Sequence, residues 1–150
     1  MGRAQAQIVA DGRLTEAEAL WYDTSRWPTF VDGFGHLVSA DANWPREGAV
    51  IWDSRPGGRG RVLERVVRYA AGDGQDADVE DERITGTQSV RFAPVADGGV
   101  GVSLELRYAL KRAYPGSALV DALFIRRAMR DSLARTLRRF AIELAAQGEL

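Results

Sequence analysis

The sequence predicts an α+β domain in which a curved antiparallel sheet wraps a long C-terminal helix. Three observations carry this. Residues 100–110 alternate strictly: Val100, Val102, Leu104, Leu106, Tyr108 and Leu110 share one face, while Ser103, Glu105 and Arg107 share the other. That is the pattern of a strand with one dry and one wet side. Residues 118–146 repeat with a helical period and contain no Pro or Gly. Between these and the N-terminus, strand-like runs are separated by Asn43-Trp44-Pro45, Pro56-Gly57-Gly58, Gly72-Asp73-Gly74 and Asp97-Gly98-Gly99, turns that suit hairpins.

Taken in order, residues 5–14 alternate as a first strand. Thr15 and Glu18 have the spacing of a capping box, so a short helix is expected over 16–22. Asp23-Thr24-Ser25 offers a stop and a new N-cap. A second short helix fits 26–31, with Pro28 confined to its first turn. Strands follow over 36–41, 49–54 and 60–70. The acidic run up to Asp78 reads as a turn, and 79–85, 88–94 and 100–110 complete about seven strands. Pro115-Gly116 breaks the pattern, Ser117 is an N-cap candidate, and Gly148 should close the last helix from outside. At about 1.5 Å per residue that helix would span about 40 Å, so it must lie across a sheet to bury its apolar side. There is no repeat and no linker, so residues 1–150 read as one domain.

The totals exclude several classes of function. With 150 residues the chain is long enough for a sizeable core. A net charge of −1 gives no field that would select nucleic acid. Zero cysteines exclude disulfides, thiolate nucleophiles and Cys-bound metals. A lone histidine leaves little basis for a His-rich metal site. No cofactor is expected. No apolar run is long enough for a membrane span, and no signal peptide is expected, so a cytoplasmic location is the expectation.

The front of the chain reads Leu14-Thr15-Glu16-Ala17-Glu18-Ala19-Leu20-Trp21-Tyr22-Asp23, then Arg26-Trp27-Pro28-Thr29-Phe30. Later come Val90-Arg91-Phe92-Ala93-Pro94, the Asp97-Gly98-Gly99 turn, an alternating strand and a Leu-rich helix. This ordered set resembles the helix-grip fold of the START-like, or SRPBCC, superfamily, and more narrowly its polyketide cyclase/dehydrase branch. The resemblance spans essentially the whole chain. It implies a cavity between the concave sheet and the last helix, holding a lipid, sterol, aromatic polyketide or other hydrophobic ligand. Some members catalyse cyclisation or dehydration. No catalytic motif is common to the superfamily, so no catalytic residue carries over, and the fold alone does not settle function.

Each group of candidate site residues has two readings. At about 100° per residue, Leu123, Leu133, Leu137, Phe140 and Leu144 form one helical stripe around Leu119, and Arg126 and Arg130 fall inside it. A guanidinium there needs a partner: either it holds a ligand carboxylate or enolate, or it snorkels to the rim or pairs with a sheet carboxylate. If Ile84 faces the core, Glu82 and Glu80 share its face. Either is then an inward acid, or both lie at a solvated strand end in a segment, 72–82, with six acids and no base. His36 shares a face with Val38 and Ala40 and reads as a packed histidine. Trp52, Tyr108, Phe92 and Phe124 are wall candidates, with Trp27 and Phe30 beside an entrance. For each of these aromatics, core packing is the competing reading.

The primary expectation is a binder of a small hydrophobic or aromatic molecule. The alternatives are an aromatase/cyclase-type enzyme with a positioned acid or base in the same cavity, and an interaction module without a cavity. Residues 112–150 carry seven Arg against four acids. Contact with an anionic membrane is nevertheless set aside, because the apolar stripe is needed to cover the sheet. A homodimer stays open.

Overall fold

The computed structural model describes residues 1–111 and 118–149, with side chains from 122 onward in the last helix. Seven strands form one antiparallel sheet: β1 (Gly2–Ala10), β2 (Phe34–Ala40), β3 (Ala49–Ser54), β4 (Arg61–Ala70), β5 (Gly74–Glu80), β6 (Ile84–Pro94) and β7 (Val100–Leu110). Their spatial order is β1-β7-β6-β5-β4-β3-β2. Every consecutive pair from β2 to β7 is a hairpin, and β1 joins the far edge by pairing with β7 from Gly2↔Tyr108 to Ala10↔Val100. Between β1 and β2 lie α1 (Leu14–Tyr22), a 3-10 turn (Thr24–Arg26) and α2 (Trp27–Phe30). The long helix is α3 (Ala118–Gly148). The sheet curves around α3 in the helix-grip arrangement.

Several local expectations need correction. The Thr15–Glu18 capping box does not form: α1 starts at Leu14, its N-cap Arg13 makes no side-chain cap bond, and Glu18 instead accepts from the Gly72 backbone N–H. The acidic run is no turn. Residues 74–80 are β5, with Gln75, Ala77 and Val79 buried and Asp78 and Glu80 exposed. The wet row is matched by basic neighbours, since Arg91 donates to Asp76 at 2.8 Å and Lys111 to Glu80 at 2.7 Å. The β4–β5 turn is confined to 71–73, where the Asp73 N–H donates to the Ala70 carbonyl, and a second turn at 81–83 joins β5 to β6. His36 is not packed: its side chain is exposed, with Nε2 3.2 Å from Asp53 Oδ2. Gly148 falls within α3 rather than beyond it. The expected Ser117 cap, Pro115 and Gly116 lie outside the described residues.

The core is strongest under the C-terminal half of α3. Leu133, Leu137, Phe140 and Leu144 are buried there, the last three nearly completely. Phe140 meets Trp21 and Phe30 edge-on, with centroids 5.5 and 5.4 Å away. Trp21 stacks on Phe30 in turn. Asp32, just after α2, fixes the helix laterally: it accepts from Ser132 Oγ at 2.7 Å and from Arg135 at 3.1 Å, and its own N–H donates to Thr136 Oγ1. Aromatic burial and this polar clamp together set the angle at which α3 leaves the sheet.

Candidate functional site

Beyond Leu133 towards its N-terminus, α3 stands away from the sheet. Leu123 is 57% exposed and Phe124 73% exposed, while Ile125 and Met129 are half-buried. The sheet beneath offers Ile84, Leu106 and Leu110 from the adjoining ends of β6 and β7. The gap is an apolar groove of about 600 Å³, within the range of small-molecule sites.

One rim of the groove is polar. Asp81 is buried, and its Oδ1 accepts the backbone N–H groups of Arg83 and Ile84 at 2.7 and 2.9 Å. Its Oδ2 accepts from Arg59 Nε at 2.7 Å. The carboxylate therefore pins the 81–83 turn and holds Arg59 over the Trp52 ring, 5.5 Å from its centroid, a cation–π distance.

A smaller inner well of about 50 Å³ adjoins the groove, sharing Arg59, Gln88, Ser132 and Leu133 as boundary. Its sheet side carries Glu64 of β4, Gln75 of β5 and Gln88 of β6. Trp52 Nε1 donates to Glu64 Oε2 at 2.7 Å. Burial pushes the Glu64 carboxyl above the usual carboxylate range, opposed by the Trp52 hydrogen bond and the Arg59 charge. Glu64 is thus a carboxylic acid held towards its neutral form, able to donate as well as accept.

The nine residues singled out in the sequence are not brought together. Phe124 lines the groove, and Trp27 and Trp52 line the well. Phe30 and Phe92 are buried in the core, against Phe140 and Tyr22 respectively. Trp27 and Phe30 lie beneath α3 rather than at an entrance. Tyr108 is buried on β7 and its ring lies against Gly2, away from both cavities. Glu82 is exposed in the 81–83 turn beside Gly60, as the solvated reading had it. The expectation that Arg126 and Arg130 sit in a buried stripe is overturned: both are exposed and neither lines the groove. The stripe exists, but along its first half there is no sheet close enough to bury it.

Sequence reasoning missed the polar floor. Glu64 shares strand parity with Val62, Gln75 with Ala77 and Val79, and Gln88 with Ile84 and Val90. Alternation alone would have turned all three inward. Asp81 had no such signal, since it lies where β5 ends.

No protein-family model matches the chain, and no curated protein matches it. Solved structures do. The TTHA0849 structure from Thermus thermophilus superposes with a TM-score of 0.76 at 15% identity, covering 97% of this chain and 99% of the other. The di-domain ARO/CYC StfQ from the steffimycin biosynthetic pathway gives 0.74 at 15% identity, over 99% of this chain and 52% of that one. A START superfamily protein from Mycobacterium smegmatis gives 0.69 at 12% identity, over 95% and 98%. At these identities the likeness is one of fold, and the fold is START-like.

Proposed function

We propose that this START-like domain binds a small hydrophobic or aromatic molecule in the groove between the sheet and the N-terminal half of α3. The observation that carries the reading is an apolar groove of about 600 Å³ whose helical wall, Phe124, Ile125, Ala128 and Met129, leaves Phe124 exposed. Covering such surface with a ligand is favourable by about 25 cal/mol per Å². The likeness to a START superfamily protein supports a ligand-binding role by analogy of fold. Native mass spectrometry of the purified protein tests it, with Ala128→Trp as the partner variant, because Ala128 lines the groove from an exposed position. A small molecule should copurify with the wild type and be absent from the variant. Equal retention by both proteins would move the ligand elsewhere.

A second reading rests on a different observation. Glu64 is a buried acid held towards its neutral form beside the groove, and such a group is suited to general acid chemistry. An aromatase/cyclase-type activity is therefore the alternative, with the ARO/CYC neighbour as its analogue of fold. There the groove would hold the chain and Glu64 would deliver a proton to a carbonyl oxygen. It requires turnover of a poly-β-ketone that stops in Glu64→Gln.

A further inference from the structure

We infer that the inner well receives the leading end of the groove's ligand, and that Glu64 makes it select a neutral hydrogen-bond acceptor, such as a ketone or ester carbonyl, over a carboxylate. This rests on the groove being a ligand site, as proposed above.

Most polar groups in the well are already committed. The Trp27 and Trp44 indole N–H groups donate to the backbone carbonyls of Trp21 and Tyr22. Gln75 Nε2 donates to the Pro45 carbonyl at 2.9 Å. Asp32 is occupied by Ser132, Arg135 and Arg139. Arg59 is tied to Asp81. Among the described residues, this leaves the Gln88 amide, Gln75 Oε1, the terminal nitrogens of Arg59 and one oxygen of Glu64 without a side-chain partner in the well. Trp52 donates to Oε2, so Oε1 is the oxygen that carries the proton when the acid is neutral.

Size and charge complete the case. A volume of about 50 Å³ holds only a small head group, since one water already needs about 10–15 Å³ of such space. Of the ionisable groups that line the well beside Glu64, Asp32 is held by Arg135 and Arg139, and Arg59 is ion-paired through Nε with Asp81. Arg59 is the one cation lining the well among the described residues and its charge is already balanced by Asp81, so a desolvated carboxylate would enter without a counter-charge of its own, which is costly. A carbonyl carries no such cost and accepts from Glu64 and Gln88 together.

The test uses three probes with one apolar body: 2-ethylnaphthalene, 2-acetylnaphthalene and 2-naphthoate. Binding is measured by calorimetry at pH 7 to the wild type, Glu64→Gln and Glu64→Leu. In the wild type the ketone should bind about 3- to 10-fold tighter than the hydrocarbon, the fold-change of one net hydrogen bond, and naphthoate most weakly. Glu64→Leu should remove the ketone preference and keep hydrocarbon binding, while Glu64→Gln, which still has N–H donors, should retain most of it. The wild type alone provides a check that needs no variant: the preference should fall as pH rises and Glu64 ionises. A preference that persists in Glu64→Leu, one that does not fall with rising pH, or naphthoate binding tightest, overturns the inference and leaves the groove reading intact. Failure of all three probes to bind would instead defeat the groove reading itself.

Discussion

Phe124→Ala separates a ligand wall from a core residue. A Phe side chain that is fully buried removes roughly 150–250 Å² from water, and Phe124 keeps 73% of its surface exposed. A ligand lying in the groove can cover about half of that exposed ring, roughly 50–90 Å². At about 25 cal/mol per Å² this is worth about 1.3–2.2 kcal/mol, or about 10- to 40-fold in affinity. The cost to the fold is far smaller, because only the remaining quarter of the ring is buried and Ala is the better helix former. The urea midpoint should correspond to a loss below about 1 kcal/mol, against about 3–5 kcal/mol for Phe140→Ala, whose ring is fully buried. The affinity is read by titration with N-phenyl-1-naphthylamine, a neutral fluorescent probe. Affinity unchanged within twofold, in a variant that unfolds like the wild type, would refute the placement of the ligand against α3.

Three further substitutions test the frame around the site. Asp32→Asn should cost about 1–2 kcal/mol, since charge-assisted hydrogen bonds from Ser132 and Arg135 are weakened at a partly exposed position. Burial raises the Asp32 carboxyl, but the Arg135 and Ser132 hydrogen bonds outweigh it and hold the group below the ordinary Asp range. Its contribution is therefore present above that range and lost as pH falls, and an acid titration of stability should be flatter in the variant. Glu64→Gln has the opposite sign: a raised carboxyl stabilises below the ordinary Glu range and progressively less as pH rises, because the unfolded chain releases its proton first. The wild type should thus lose stability relative to the variant as pH rises above the ordinary Glu range; parallel urea curves would mean that Glu64 is not raised in the fold. Tyr22→Phe should stabilise by about 1 kcal/mol, since the Tyr22 hydroxyl is buried with no partner among the described residues, and a lowered melting temperature would reveal a hidden one.

The parts of this molecule that were legible in the sequence are those where one rule acts alone. β7 alternates against a single dry face, and its inward positions were readable without error through Tyr108. The stripe of Leu133, Leu137, Phe140 and Leu144 was equally clear. Where two rules compete, the reading failed. Six acids between 72 and 82 looked like a solvated turn, yet alternating Gln75, Ala77 and Val79 carried a strand whose wet row is neutralised by Arg91 and Lys111. Arg126 and Arg130 were placed correctly around the helix axis and wrongly with respect to burial. Periodicity gives an angle about the axis and does not say how far the sheet extends beneath it. Glu64 was passed over because a charged residue in a strand is ordinarily assigned to the wet face, whereas this one is held towards neutrality inside.

Length mismatch explains why the cavity is at this end. α3 has 31 residues, about 46 Å at about 1.5 Å per residue. The longest strands have 11, about 36 Å at about 3.3 Å per residue. The aromatic cluster at Phe140 and the Asp32 clamp fix one half of the helix against β1, α1 and α2. The other half then projects past its support, over the ends of β6 and β7. Of its apolar residues Ile125 and Met129 pack against the edge of the core, while Leu123 and Phe124 remain exposed. An interaction module would explain exposed apolar residues on the outer side of α3. It would not explain an apolar floor of Ile84, Leu106 and Leu110 on the sheet side of the groove, or a buried acid in the adjoining well with one oxygen engaged by Trp52. A small molecule inserted between floor and helix accounts for both.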